Sequence, residues 1–259
     1  MSIILGINKD HSDSSACLLV NGILVGAVAE ERLGKRIKHD SSFPVNSINW
    51  LINSNHLKYS YINYIAVSND PMSNFIAKML HSFDFSSFNF LAKIKKKFYN
   101  QPSIKKEIIN LCKDKGEDTN NLKFKIINVE HHLTHIASAF YLSKFKDKTA
   151  AFTYDGSGDA VSITLAECQD NKIKILEKVF LPKSLGHFYS AVCNYIGFKN
   201  FGDEYKVMGL SAYGKDKYSK YFSELIGYDK KNILRQKKIF DYNSIDFKKN
   251  NVIKLNKNI

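Results

Sequence analysis

The first part of the chain alternates short apolar runs with polar segments. Ile3–Ile7, Ser15–Val20 and Ile23–Ala29 each have the length and composition of a strand. Asn21-Gly22 joins the second run to the third, and this pair is typical of a type I′ hairpin turn. The polar residues 8–14 separate the first two runs by more than a minimal hairpin needs, so we expect this loop to carry functional side chains.

The next part of the chain changes to helical spacing. Pro44 fits the first turn of a helix that runs to about Asn53, because proline is favoured at the first helical position. Ile62–Val67 has the pattern of a buried strand, and residues 71–115 predict a lysine-rich helical excursion from the sheet.

Strand and helix patterns then alternate, and they fade towards the end. The elements predicted here are the strand Phe124–Val129, the helix His132–Leu142, the strand Thr149–Tyr154, the hairpin of Val161–Cys168 with Ile173–Leu181, and the helix Leu185–Ile196. After Tyr228 only lysine, asparagine and isolated aliphatic residues follow. The pattern predicts an α/β fold with a mixed sheet flanked by helices, in a domain over residues 1–228. Residues 229–259 are expected to be either a lysine- and asparagine-rich tail or the truncated start of a second half.

Composition restricts the class of protein without choosing a function. Of the 259 residues, 44% are hydrophobic and 24% are charged, as in ordinary globular proteins. The formal net charge is +13, but lysine is spread along the chain and arginine occurs only at Arg32, Arg36 and Arg235, so we expect no nucleic-acid partner. Four widely spaced cysteines predict reduced core thiols. No segment has the pattern of a leader or a membrane span, so a cytoplasmic location is expected.

Two histidines at helical spacing form the sharpest chemical signal. His131 and His135 stand at a predicted strand-to-helix junction, and residues four apart share one helix face, so both can hold one cation. Taken alone, such a pair is more often surface or capping histidines. Asp155 follows at the end of the next predicted strand, where open α/β sheets place ligands. Two imidazoles and a carboxylate suit Fe²⁺, Zn²⁺ or Mn²⁺ and leave coordination positions for a substrate.

The glycine-rich segment that begins at Asp155 has two compatible interpretations. Asp155-Gly156-Ser157-Gly158 looks like a phosphate loop, because glycines allow backbone amides to approach an anion closely. A tight turn leading into the strand at Val161 is the default interpretation of so short a glycine motif.

Further candidate residues lie outside these two motifs. His11, between Asp10 and Asp13, can act as a general base, although an ordinary polar turn histidine explains it better when it is taken alone. Lys206 can meet a phosphate as a point charge, and a packing segment with exposed charges is an equally good explanation.

In their order along the chain, these motifs resemble the carbamoyltransferases of nodulation and antibiotic O-carbamoylation. The matching residues are Gly6-Ile7, His11 and Ser14-Ser15-Ala16; Ala29-Glu30-Glu31-Arg32, Lys38-His39-Asp40 and Phe43-Pro44; His131-His132, His135 and Ala137-Ser138-Ala139-Phe140; Asp155-Gly156 and Gly158; and Ser184-Leu185-Gly186, Phe188-Tyr189 and Lys206-Val207-Met208-Gly209-Leu210. The ordered series is far more specific than any one of its pieces. Asp159 and Tyr205 depart from it, standing where glutamate and glycine are usual.

The resemblance implies an actin-like ATPase fold of the ribonuclease H type, related to the synthases of threonylcarbamoyladenosine in tRNA. It implies that carbamoyl phosphate and ATP form a carbamoyladenylate, whose carbamoyl group passes to a hydroxyl of a sugar or antibiotic-like acceptor. Carried onto this chain, it makes His131, His135 and Asp155 ligands of an iron-type divalent metal, with His11 assisting transfer. The residues implied to bind ATP or the carbamoyladenylate are Asp155, Gly156, Ser157, Gly158, Gly186, Lys206 and Gly209.

Length is the largest departure from the family, whose members are far longer and carry a second nucleotide-binding segment and a carbamoyladenylate-forming domain. We therefore expect a truncated chain, a remnant, or one half of a split enzyme that needs a separately encoded second half for transfer. Two other functions stay open. One is a threonylcarbamoyl transferase acting on tRNA, and the other is a non-catalytic subunit that binds metal.

Overall fold

The computed structural model describes residues 1–9, 13–34, 38–83, 103–145, 147–229, 231–236, 240–241 and 254–255. The chain divides into two compact units. The first comprises Met1–Ser73 with Phe88–Thr134, and the second comprises Asn74–Ser87 with His135–Ile259. Both combine strands with helices, so the predicted α/β class is confirmed.

The described part of the structure contains helices where the sequence predicted them, together with three short helices that it did not predict. They are α1 (Glu30–Leu33), α2 (Val45–Ser54), α3 (Phe75–Phe83), α4 (Ile104–Asp114), α5 (His131–Phe140), α6 (Leu185–Tyr195), α7 (Glu204–Ser211) and α8 (Ser219–Leu225), with 3-10 turns at Tyr59–Tyr61 and Thr119–Asn121. Pro44 immediately precedes α2, as its position predicted. The expected helical excursion over 71–115 includes α3 and α4, and its middle, residues 84–102, lies outside the described residues.

A five-stranded mixed sheet lies in the first unit, in the order β3-β2-β1-β4-β5. Its strands are β1 (Ile3–Asn8), β2 (Ser15–Val20), β3 (Ile23–Ala29), β4 (Tyr64–Val67) and β5 (Lys125–Asn128). Strand β1 pairs antiparallel with β2 and parallel with β4, and β5 continues the parallel part. This is the mixed sheet that the sequence predicted.

Alternation along β1 places the core of the first unit on one face of its sheet. Ile3, Leu5 and Ile7 are buried, and they pack in one cluster with residues of α2 and α4 such as Leu51 and Ile108. The turn between β2 and β3 has φ values of 51° at Asn21 and 82° at Gly22, which confirms the predicted type I′ hairpin.

A three-stranded antiparallel sheet, in the order β6-β7-β8, lies in the second unit. Its strands are β6 (Thr149–Gly158), β7 (Val161–Gln169) and β8 (Lys172–Phe180), so the predicted hairpin of the last two is confirmed. Strand β6 extends past Tyr154, where the sequence predicted its end, because Gly158 pairs again with Val161 across the turn.

The sequence pattern missed the strands that follow helix α8. These strands are β9 (Ile226–Asp229), which pairs with β10 (Asn232–Gln236), and the short pair β11 (Phe240–Asp241) and β12 (Lys254–Leu255). Leu234 of β10 is buried against Ile163 and Val179, so an aliphatic residue in a lysine-rich segment contributes to the core. The tail predicted over residues 229–259 stays a prediction, since much of it lies outside the described residues.

The structure also bears on the state of the cysteines and on membrane-spanning helices. All four cysteines are free, and Cys112, Cys168 and Cys193 are buried, as predicted for core thiols. Burial raises the pKa of the Cys168 thiol, which favours its unreactive protonated form. Within the described part of the chain, no helix combines the length and apolar character that crossing a bilayer requires.

Candidate metal centre

Helix α5 carries both candidate histidine ligands. It begins at His131, a residue earlier than predicted. His131 and His135 are one turn apart, so the helix itself places their side chains on the same face. The His131 Nδ1 atom lies 3.3 Å from the carbonyl oxygen of Ser68. A carbonyl can only accept, so Nδ1 carries the proton and Nε2 is left as the metal-binding atom.

Asp155 is presented by a bulge near the end of β6. Tyr154 pairs with Ile163 and Gly158 pairs with Val161, so the residues between Tyr154 and Gly158 leave the regular ladder. The Oδ1 atom of Asp155 accepts a hydrogen bond of 2.6 Å from the backbone N–H of Gly156. Its other oxygen, Oδ2, lies 3.9 Å from Nε2 of His135. The bulge thus directs one carboxylate oxygen to the face of α5 that bears the histidines.

The three residues have the donor atoms and the spacing of a metal site. His131, His135 and Asp155 each offer one ligand atom, and these atoms lie within 4.8 Å of one another. The side chains of His135 and Asp155 are 51% and 32% exposed, so a small molecule can reach the cluster from solvent. Two imidazoles and one carboxylate fit a divalent transition metal that keeps open coordination positions.

The first turn of α6 packs directly on the main chain beside Asp155. Ser184 is its N-cap, and the Ser184 hydroxyl accepts a 3.0 Å hydrogen bond from the N–H of His187. The same hydroxyl lies 2.7 Å from the carbonyl oxygen of Gly156 and 3.2 Å from that of Asp155. A Cβ atom at Gly186 would stand only 2.5 Å from the nitrogen of Gly156, so this contact requires glycine.

The glycine-rich segment ends in a two-residue turn. Asp159 and Ala160 have φ values of 52° and 66°, the left-handed conformation of a type I′ turn. Lys78 of α3 donates a 2.8 Å hydrogen bond to the Asp159 carboxylate, which is 7% exposed. The turn predicted for this segment is therefore present, and phosphate binding by Gly156, Ser157 and Gly158 stays a prediction.

Lys206 and Gly209 lie on α7. The Lys206 ammonium is 2.7 Å from the carboxylate of Asp203 and 5.8 Å from the centre of the Phe198 ring. Its hydrogen bond lowers the pKa of the buried Asp203 carboxyl and raises the pKa of Lys206 itself. Gly209 is exposed. The phosphate contacts expected of both residues stay predictions.

His131, His135 and Asp155, which the sequence predicted as one ligand set, lie close together, and metal binding by them stays a prediction. The sequence did not reveal the residues that contact them. Ser68 contributes a main-chain carbonyl, which leaves no signature in the sequence. Ser184 does have a sequence signature, because serine is a preferred residue at the N-cap position of a helix. His11 lies outside the described residues, so its predicted role as a base stays a prediction.

The chain is similar to known proteins in structure and in sequence. YeaZ from Pseudomonas aeruginosa aligns over 70% of this chain and 68% of its own, with a TM-score of 0.38 and 14% identity. The uncharacterized protein sll1178 of Synechocystis is 35% identical over 226 residues, which cover 84% of this chain and 36% of that protein. Nodulation protein NolNO of Sinorhizobium fredii is 32% identical over 209 residues, which cover 80% of this chain and 28% of that protein.

A more distant relative and a family model also match this chain. The uncharacterized protein MJ1051 of Methanocaldococcus jannaschii is 28% identical over 259 residues, which cover 95% of this chain and 42% of that protein. The chain thus spans less than half the length of each of these three relatives. The family model for the carbamoyltransferase N-terminus matches residues 3–258. The chain therefore belongs to the carbamoyltransferase family.

Proposed function

We propose that this chain carries a metal-dependent carbamoyl-transfer centre, built on His131, His135 and Asp155. The observation that carries the proposal is the convergence of these three donor atoms within 4.8 Å, in a chain that belongs to the carbamoyltransferase family. The overall reaction is the transfer of a carbamoyl group from carbamoyl phosphate, through a carbamoyladenylate, to a hydroxyl of a sugar or antibiotic-like acceptor.

The proposed ligand set favours a divalent transition metal. Fe²⁺ is the first candidate because of the family resemblance, and Zn²⁺ or Mn²⁺ suit the same donors. Bound there, such an ion supplies a Lewis acid that polarises a carbonyl or phosphate oxygen. The hydrogen bond from His131 Nδ1 to Ser68 holds the first imidazole in the tautomer that binding needs. The bulge of β6 holds Asp155 towards His135.

The proposed reaction has two steps. Carbamoyl phosphate, ATP and one water give carbamoyladenylate, pyrophosphate and phosphate. The acceptor hydroxyl oxygen then forms a bond to the carbamoyl carbon, the bond from that carbon to the AMP oxygen breaks, and AMP leaves. The hydroxyl proton passes to a base, which we assign to His11 from the resemblance of its loop.

We assign the phosphate of the adenylate to the bulge of β6. Glycine-rich segments let main-chain amides approach an anion closely, and the Gly186 contact fixes the path of this segment. Lys206 adds positive charge at the start of α7, although the Asp203 carboxylate already neutralises part of it. Gly209, on the same helix, is the remaining contact assigned to the nucleotide.

The test is an assay for transfer that depends on the cluster. The full chain is loaded anaerobically with Fe²⁺ and incubated with labelled carbamoyl phosphate, ATP and a panel of sugars. Because the relatives are longer, a second assay adds, as a separate polypeptide, the part of the Synechocystis relative that the match does not cover. We expect labelled carbamoyl ester and AMP in at least one assay, and their loss in His135→Ala.

A matched variant shows whether a loss is specific. His56 is exposed and has a φ of 53°, which asparagine tolerates well, so His56→Asn removes an imidazole without disturbing the backbone. This variant should keep the wild-type rate. If neither assay gives product, or if His135→Ala and wild type give the same rate, the proposed function is wrong.

A further inference from the structure

The carboxylate of Asp155 depends on main chain that another element holds in place. Asp155 lies in a bulge, where the regular ladder to β7 is interrupted, so strand pairing alone does not fix its orientation. Within the second unit, the first turn of α6 is the neighbour that contacts the backbone of Asp155 and Gly156.

Ser184 binds this backbone and caps the helix with the same oxygen. Its hydroxyl oxygen lies 2.7 Å from the carbonyl oxygen of Gly156 and 3.2 Å from that of Asp155, and it donates a hydrogen bond to this pair. Its lone pair accepts from the N–H of His187, and the whole residue is fully buried. Removal of the hydroxyl would therefore leave polar main-chain atoms without their partner in a place that excludes water.

Gly186 supports the bulge by contact rather than by hydrogen bonding. An added Cβ atom would lie 2.5 Å from the nitrogen of Gly156 and 2.6 Å from the carbonyl carbon of Asp155. Both atoms belong to the backbone, so they cannot make room unless the bulge itself shifts. Asp155 Oδ1 accepts from the Gly156 N–H at 2.6 Å, so a shift of that nitrogen moves the carboxylate.

We infer that Ser184 and Gly186 are positioning residues for the metal centre, which they act on through the main chain of Asp155 and Gly156. This inference rests on the proposed function, because it requires that Asp155 bind a metal. It assigns to the first turn of α6 the task of holding Asp155 Oδ2 at the distance from His135 that one ion can bridge. Metal affinity is therefore set partly by residues that never touch the ion.

The test measures binding of Co²⁺ alone, through its visible absorption bands, to the full chain and four variants. Ser184→Ala should weaken binding by about tenfold, the lower end of the effect of losing an outer-shell partner. Gly186→Ala should weaken it at least as much and change the absorption spectrum, since the carboxylate is displaced. Thermal unfolding of each metal-free variant shows that the protein is folded at the temperature of the titration.

Ser103→Ala is the matched control for loss of a helix cap. Ser103 caps α4, an 11-residue helix like α6, and its hydroxyl accepts from the N–H of Lys106 at 3.2 Å. This variant loses the same kind of cap but should bind Co²⁺ as wild type does. If Ser184→Ala and Gly186→Ala bind as tightly as Ser103→Ala, the positioning role is wrong and the metal centre stands. If wild type binds no Co²⁺, or His135→Ala binds it equally well, the proposed metal centre fails and the inference fails with it.

Discussion

Asp155 Oδ2 and His135 Nε2 face each other across 3.9 Å, from a bulged strand and a helix respectively. The separation is too long for a direct hydrogen bond, which needs about 3.2 Å or less. Two ligand atoms that each lie about 2.1 Å from one ion can be up to about 4.2 Å apart. One cation between the two atoms can therefore bind both of them.

Glu30 should be a major source of stability in the first unit. Its carboxylate is 2% exposed and accepts hydrogen bonds of 2.7–2.9 Å from the backbone and side chains of Asn46 and Ser47. It thus caps α2, which has no side-chain cap of its own at Pro44. We expect Glu30→Ala to lower the free energy of unfolding by about 2–4 kcal/mol, because buried donors lose a charged acceptor.

Urea denaturation measures the Glu30 effect against a neutral change. Glu224 is exposed, and Glu224→Ala should change the free energy of unfolding by less than about 0.5 kcal/mol. Equal stabilities for the two variants would show that the Glu30 carboxylate does not hold α2.

Ala160 should be a position where glycine stabilises the protein. Its φ of 66° is left-handed, where a Cβ atom is unfavourable, and Asp-Gly is a preferred pair for this type of turn. We expect Ala160→Gly to raise the free energy of unfolding by about 0.5–1 kcal/mol. Ala212 has a φ of −63°, so Ala212→Gly should instead destabilise the protein in the same measurement. A loss at both positions would contradict the turn conformation.

The pair of Asp203 and Lys206 should make stability depend on pH at the acid end. Because Lys206 lowers the pKa of Asp203 in the folded state, the carboxylate contributes fully above the unfolded value of about 3.9. That contribution is lost as the pH falls through the lower folded pKa. Lys206, whose pKa is raised, contributes fully below about 10.4 and loses its contribution as the pH rises through the folded value.

Denaturation of wild type and Asp203→Asn at several pH values tests the pH dependence of this contribution to stability. The difference in stability between them should be the same at pH 7 and pH 9, and should shrink as the pH falls below about 3.9, because the unfolded carboxyl takes up its proton before the folded one does. A difference that is already present in full at pH 3 would show that packing, and not the charge of Asp203, is what the substitution removes.

Local patterns in the sequence were enough for most strands of the two larger sheets, for the helices α2, α5 and α6, and for proposing His131, His135 and Asp155 as one ligand set. Asn21-Gly22 predicted its turn because only residues that tolerate positive φ suit it. His131, His135 and Asp155 were predicted together because a helix fixes the spacing of the histidines and a strand end limits where the carboxylate can lie. Periodicity is a local property, and these features are local.

Other features depend on contacts between distant parts of the chain. Leu234 stands in a segment without periodicity, and only its packing against Ile163 and Val179 makes it part of the core. The sequence predicted that β6 ends at Tyr154. It missed the pairing of Gly158 with Val161, which depends on the turn between them. The close approach of Gly186 to the Asp155 backbone likewise arises from packing, which no spacing rule predicts.

The most direct measurement of the central claim is metal content after anaerobic purification. Elemental analysis of wild type and of His56→Asn should find close to one divalent transition-metal ion per chain, because the exposed His56 belongs to no ligand cluster of the described residues. His131→Ala and His135→Ala should each lose most of that metal, since two protein ligands hold an ion far more weakly than three. Equal metal content in wild type and in both of these variants would contradict the metal centre.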